Sequence, residues 1–89
     1  MKMRVIYSKK ARKDLKVLSK KEAQKIVSKI RYFSEQKDIE RYAKKLKPPL
    51  DDLFRFRIGD FRVILDINNN NKVTILTILR IKHRKDIYR

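Results

Sequence analysis

The sequence predicts an α+β domain of element order β-α-α-β-β-β, an antiparallel sheet with an N-terminal helix hairpin packed on one of its faces. Three observations predict it. Between Ala11 and Phe33 the apolar residues recur at helical spacing, and from Leu53 onward the period switches to two. The length of 89 residues, with one glycine and two prolines, leaves room for one domain and no linker, so residues 1–89 read as a single domain.

Met3 to Tyr7 reads as a short strand around Val5 and Ile6. Ser8 then offers a helix cap, and Ala11, Leu15 and Leu18 follow on one helical face. Ser19-Lys20-Lys21-Glu22 has the form of a capping box, in which hydroxyl and carboxylate each satisfy an orphan backbone N–H. Ala23, Ile26, Val27, Ile30 and Phe33 mark the buried face of this second helix. The short connection predicts an antiparallel helix pair. Its lysines, from Lys9 to Lys29, read as a solvated outer face.

A polar stretch, Glu35 to Glu40, leads to a helical turn around Tyr42. Lys47-Pro48-Pro49 stops any helix, because Pro49 denies Pro48 the α region. Phe54, Phe56 and Ile58 then alternate with Arg55 and Arg57. Gly59-Asp60 reads as a two-residue hairpin loop, with glycine at the first central position as a type II′ turn requires. Phe61, Val63, Leu65 and Ile67 continue the alternation, and Asn68 to Asn71 is expected as a turn because asparagine tolerates positive φ. Val73, Ile75, Thr77, Leu79 and Ile81 form the last strand, followed by a basic tail from Lys82 to Arg89.

Composition excludes several classes of function. A single histidine and no cysteine cannot make a zinc finger, and one glycine cannot make a phosphate-cradling loop. No apolar run approaches the ~18 residues of a membrane span, and no signal-peptide core follows Met1. These features, with the absence of cysteine, predict a cytoplasmic protein. The formal net charge of +16 points to a polyanionic partner, nucleic acid before an acidic protein, and argues for a monomer when free.

Register concentrates part of that charge. If Gly59-Asp60 is the whole loop, Ile58 pairs with Phe61, Arg57 with Arg62, Phe56 with Val63 and Arg55 with Ile64. The apolar pairs then share the face that the helices cover. Arg57 and Arg62 oppose each other on the other face, with Arg55 two residues away. Like charges directly across a ladder destabilise it. Folding has no use for the arrangement, but a phosphate does, since each guanidinium can grip it with parallel hydrogen bonds. Asp66 reaches the same face by parity and is expected as a charge partner. The tail, His83-Arg84-Lys85-Asp86-Ile87-Tyr88, adds a titratable imidazole and an aromatic hydroxyl after a strand expected to border the arginines.

The segment from Leu53 to Ile64, the strand after it and the His-Arg-x-x-x-Tyr ending at residues 83–88 resemble the RelE/ParE superfamily of type II toxins, and the RelE branch most. The resemblance covers essentially the whole chain, and the element order is also that family's. It implies a ribosome-dependent mRNA endoribonuclease, or mRNA interferase, that cuts the message in the A site and inhibits translation. The cut uses the RNA's own 2′-hydroxyl and leaves a 2′,3′-cyclic phosphate, with no metal or other cofactor.

By the same resemblance Arg62, Arg84, His83 and Tyr88 are the catalytic candidates and Arg55 and Arg57 hold the RNA backbone; Lys82 and Lys85 of the basic tail are further RNA-binding candidates. Arg62 matches the arginine that stabilises the phosphorane, Arg84 the family's tail arginine, and Tyr88 the tyrosine that stacks on or orients the base. Relatives carry lysine on the first hairpin strand, where this chain has arginines that do not deprotonate. That leaves His83 as the base candidate, with Tyr88 or a cationic arginine as supporting acid. Lys82 stands where relatives often have glycine. The implied partners are the ribosome, mRNA and a RelB-like antitoxin, in a hetero-oligomer, with no membrane. Two other readings stay open on the residues alone: a ParE-like topoisomerase poison without nuclease activity, and a basic RNA-binding module without turnover.

Overall fold

In the computed structural model, which describes residues 2–70 and 72–87, the chain runs β1 (Lys2–Tyr7), α1 (Lys9–Lys16), α2 (Lys20–Ser34), a 3-10 turn (Ile39–Arg41), β2 (Lys44–Lys45), β3 (Phe54–Ile58), β4 (Phe61–Asn70), β5 (Val73–His83) and a final helical turn, α3 (Arg84–Ile87). The five strands form one sheet in the order β1-β5-β4-β3-β2. The β3-β4-β5 meander is antiparallel, but β1 joins β5 in parallel, so the sheet is mixed and not antiparallel throughout. The helices between β1 and the meander supply the long crossover that a parallel pair needs.

Both helix starts form as their sequences dictate. The Ser8 hydroxyl accepts a hydrogen bond from the Ala11 N–H at 3.0 Å and donates to the Leu79 carbonyl at 2.9 Å, tying α1 to β5. Ser19 accepts from the Glu22 N–H at 3.1 Å and donates its hydroxyl to the Glu22 carboxylate at 3.3 Å. This is one half of a capping box, the carboxylate turning to the hydroxyl.

The helical stripe Ile26, Ile30 and Phe33 meets the inward residues of the sheet, Phe56, Val63, Leu65, Leu76 and Ile78, in one continuous core. Each fully buried side chain of this size contributes about 1.5–3 kcal/mol. Phe33 links the layers: its ring stacks on Tyr42 at 4.5 Å and lies 5.0 Å from Phe56.

The last strand departs from simple alternation. Thr74, Leu76 and Ile78 are buried in its first half, and the alternate residues Val73, Ile75 and Thr77 only partly so. A register irregularity at Ile64/Leu65 leaves Leu79 without a partner in the ladder, so that Ile78 and Ile81 both face the core. One extra residue reverses a strand's parity. The asparagine turn is also tighter than expected: Asn68, Asn69 and Asn70 stay in β4, paired with Ile75, Thr74 and Val73.

The bulge lies where β1 ends, at the Tyr7–Ile78 pair. Beyond it α1 replaces the missing strand. Asp14 accepts from the Ile81 N–H at 2.8 Å and from the Arg80 guanidinium at 2.9 and 3.2 Å. A side chain thus satisfies a strand edge that would otherwise stand unpaired.

Candidate nucleic-acid interface

The β3–β4 hairpin builds the centre of the site. Gly59 adopts φ +57° and among the described residues no non-glycine residue has positive φ, which fits a II′ turn over Gly59-Asp60. The ladder pairs Ile58 with Phe61, Arg57 with Arg62, Phe56 with Val63 and Arg55 with Ile64. Alternation buries Phe56, Ile58, Phe61 and Val63 and sends Arg55, Arg57 and Arg62 to the face away from the helices. Burial, followed by the charges of Arg62 and Arg57, holds the Arg55 guanidinium below its ordinary range. It stays cationic, so the face carries three crowded positive charges.

The tail completes the cluster. The Arg84 N–H donates to the Asp60 carbonyl at 2.7 Å, bringing α3 against the hairpin turn. Arg57, Gly59, Asp60, Phe61, Arg62 and Arg84 then line one open cavity of about 350 Å³. The Arg84 guanidinium lies 3.8 Å from the Asp60 carboxylate, but both are well exposed and such a pair contributes little. Among the described residues the ion pairs are Arg80–Asp14 and Arg84–Asp60, so Arg55, Arg57 and Arg62 meet no carboxylate there. Asp66, expected as their charge partner, pairs with Thr77 in the ladder and makes no ion pair with them.

The remaining candidates divide. Lys82 is opposite Arg62 in register but borders a different cavity, with Asp14, Leu18, Phe61 and His83. His83 pairs with the buried Phe61 and meets its ring edge-on at 5.1 Å. Its Nδ1 accepts from the Lys85 N–H at 3.1 Å, which puts the neutral ring's proton on Nε2. His83 therefore does not line the arginine cavity, although β5, the strand it ends, borders β4 as expected. The same parity that sends Arg62 outward turns His83, opposite Phe61, toward the helices. Lys85 is exposed, and Tyr88 lies outside the described residues.

Three residues of the neighbourhood leave no signal in the sequence. Asp14 is one acid among many bases on α1, and its role needs the bulge to exist. Partial burial pushes its carboxyl up, but the bonds from Arg80 and Ile81 and the charges of Arg80 and Lys82 outweigh that and hold it below the usual carboxylate range. Lys44 reaches the site through a strand pairing with Arg55 that two residues of β2 cannot announce, and Arg41 from the 3-10 turn just before it. Among the described residues no three His, Asp or Glu side chains gather in a way that could hold a metal ion. No helix there is long and apolar enough to cross a membrane.

Chemically, the cluster can hold a phosphate and stabilise charge that grows on its oxygens. It cannot by itself take up a proton.

Solved structures share this architecture. A toxin–antitoxin complex, RelBE2 of Mycobacterium tuberculosis, superposes with a TM-score of 0.77 at 27% identity, covering 91% of this chain and 90% of that one. The archaeal RelE–RelB complex of Pyrococcus horikoshii gives 0.68 at 30% identity, over 94% of this chain and 97% of that one. The Escherichia coli RelBE toxin–antitoxin complex, at 12% identity and 0.64 over 90% of this chain and 94% of that one, shares the fold. No curated protein sequence matches the chain. The family model described as the ParE toxin of the type II toxin–antitoxin system parDE matches residues 5–88. The chain belongs to that family, and with its RelE-like fold it is a type II toxin of the RelE/ParE superfamily.

Proposed function

We propose that the protein is a ribosome-dependent endoribonuclease that cuts mRNA in the A site. The observation that carries this reading is the Arg57–Arg62 pair, which shares its cavity with Arg84 and has no carboxylate partner among the described residues. In the reaction a 2′-hydroxyl attacks the adjacent phosphorus and the P–O5′ bond breaks. A 2′,3′-cyclic phosphate and a 5′-hydroxyl result. Charge grows on the non-bridging oxygens, and each preorganised donor there is worth about 3–4 kcal/mol.

Arg62 and Arg84 are the catalytic residues in this reading, and Arg55 and Arg57 hold the RNA backbone. Tyr88 takes the role that the resemblance implies, stacking on or orienting the base. Lys82 and Lys85 contribute charge from the side of the tail. His83, turned toward Phe61, acts on the tail by receiving the Lys85 N–H, as a positioning residue. The proton acceptor then lies outside the arginine cluster, in a ribosomal group. A RelB-like antitoxin is the natural partner, since the M. tuberculosis relative is a toxin–antitoxin complex, RelBE2, and the P. horikoshii relative a RelE–RelB complex.

The matching family description favours a second reading, a ParE-like poison acting on a topoisomerase by protein contact. A translating extract and a DNA supercoiling assay separate the two. The nuclease reading expects new mRNA 5′ ends only when ribosomes are present, with supercoiling intact. Arrested supercoiling with intact mRNA overturns it.

A further inference from the structure

A second cavity, of about 290 Å³, lies at the β2 edge of the same sheet and is lined by Phe33, Arg41, Tyr42, Lys44, Arg55 and Arg57. Arg57 lines both this cavity and the one that holds Arg62 and Arg84, so the two are neighbours on the sheet face that share one residue. We propose that this second cavity is a subsite for the neighbouring nucleotide of a single-stranded RNA whose scissile phosphate occupies the first, an inference that rests on the function proposed above.

Four features lead there. The lining holds four cations and no carboxylate. The Lys44–Arg55 ladder pair repeats the direct opposition of like charges found at Arg57–Arg62, an arrangement that costs folding energy unless an anion joins it. Neither Arg41 nor Lys44 has an ion-pair partner among the described residues. The rest of the wall is aromatic, the Phe33–Tyr42 stack with rings 4.5 Å apart and 17° from parallel. Cations beside aromatic rings are the pairing that recognises single-stranded nucleic acid, phosphate on one side and base on the other. An acidic peptide would use the cations and leave the rings unused. The volume sits near the roughly 300 Å³ lower bound of small-molecule sites, a size for one nucleotide and not for a helix.

The test compares two RNA probes on two proteins. A mononucleotide fills the first cavity alone, and a non-cleavable trinucleotide with a 2′-deoxy residue at the scissile position spans both. Arg41→Ala/Lys44→Ala should bind the mononucleotide as the wild type does but the trinucleotide about tenfold more weakly. Its trinucleotide affinity should also fall less steeply with salt, by about 0.7 in log–log slope for each phosphate that is no longer neutralised. Equal trinucleotide affinity in variant and wild type overturns the subsite while leaving the arginine cavity standing. A wild type that binds neither probe overturns the function on which it rests. If the double variant does not fold, Lys44→Gln with the amide resonance of Tyr42 followed by NMR decides instead. A shift on adding trinucleotide but not mononucleotide supports the subsite. A shift with an oligoglutamate peptide and none with the trinucleotide assigns the surface to an acidic protein and overturns it.

Discussion

Arg57 and Arg62 face each other directly across the β3–β4 hairpin, and among the described residues no carboxylate lies within ion-pair distance of either. Like charges so placed cost the ladder a few tenths of a kcal/mol or more. Removing one should therefore relieve the fold while harming the function. Arg62→Ala is expected to melt no lower than the wild type, and to lose about 10²–10³ in cleavage rate. A thermal melt and a cleavage time course on the same preparation check both halves.

The glycine of the hairpin turn fixes that opposition. Its φ of +57° is a conformation that L side chains rarely adopt, although a Cβ there would have room, with Lys25 Nζ nearest at 4.0 Å. Gly59→Ala should cost about 1–2 kcal/mol through backbone strain alone. Because Arg57 and Arg62 flank the turn closely, RNA affinity should fall with it. Urea unfolding and a binding titration report the two effects.

Asp14 gives stability a dependence on pH. Its carboxyl titrates below the usual carboxylate range in the folded protein, so the folded state binds that proton less readily than the unfolded chain. The stabilisation is complete above the unfolded value of about 3.9 and is lost as pH falls through the lower folded value. Asp14→Asn should lower stability near neutrality by about 1–2 kcal/mol, a charge-assisted bond discounted for the partly exposed Arg80. It should also flatten the acid limb. Melting curves between acid and neutral pH measure it.

Phe56 is fully buried beneath the arginines, with Phe33 5.0 Å away. Phe56→Ala should cost about 3–5 kcal/mol, much of a small domain's total stability. Denaturant titration should show an earlier midpoint, and RNA binding should weaken in proportion to the unfolded fraction.

His83→Ala tests the division of the tail. With the ring against Phe61 and outside the arginine cavity, cleavage should fall by less than about tenfold, against the larger loss at Arg62. A loss as large as that of Arg62→Ala would return His83 to proton transfer. A pH–rate profile separates the two roles, since a base would remove the acid limb.

What the sequence reveals of this protein follows from how local each feature is. The β3–β4 hairpin is legible residue by residue, because Gly59-Asp60 allows one register and parity does the rest. The helix starts at Ser8 and Ser19 are legible because capping is a contact over three residues. The bulge at Leu79 is not: it depends on β1 ending at Tyr7 and on Asp14 reaching the exposed edge from a helix distant in sequence. That one irregularity switches the core-facing parity of β5 between Ile78 and Ile81. His83 illustrates the same limit, since its nearness to the arginines in sequence does not carry to the sheet, where its partner is Phe61. Lys44 joins the arginine face through β2, a strand too short to leave a period, and Arg41 from the 3-10 turn just before it.

The most direct test of the central claim is single-turnover cleavage of an mRNA on programmed ribosomes, comparing wild type, Arg62→Lys and Arg62→Ala. Ribosome-dependent cleavage by the wild type, partly kept by lysine and lost by about 10² or more with alanine, is the predicted result. Cleavage unchanged in Arg62→Ala, or no cleavage by the wild type, would contradict it.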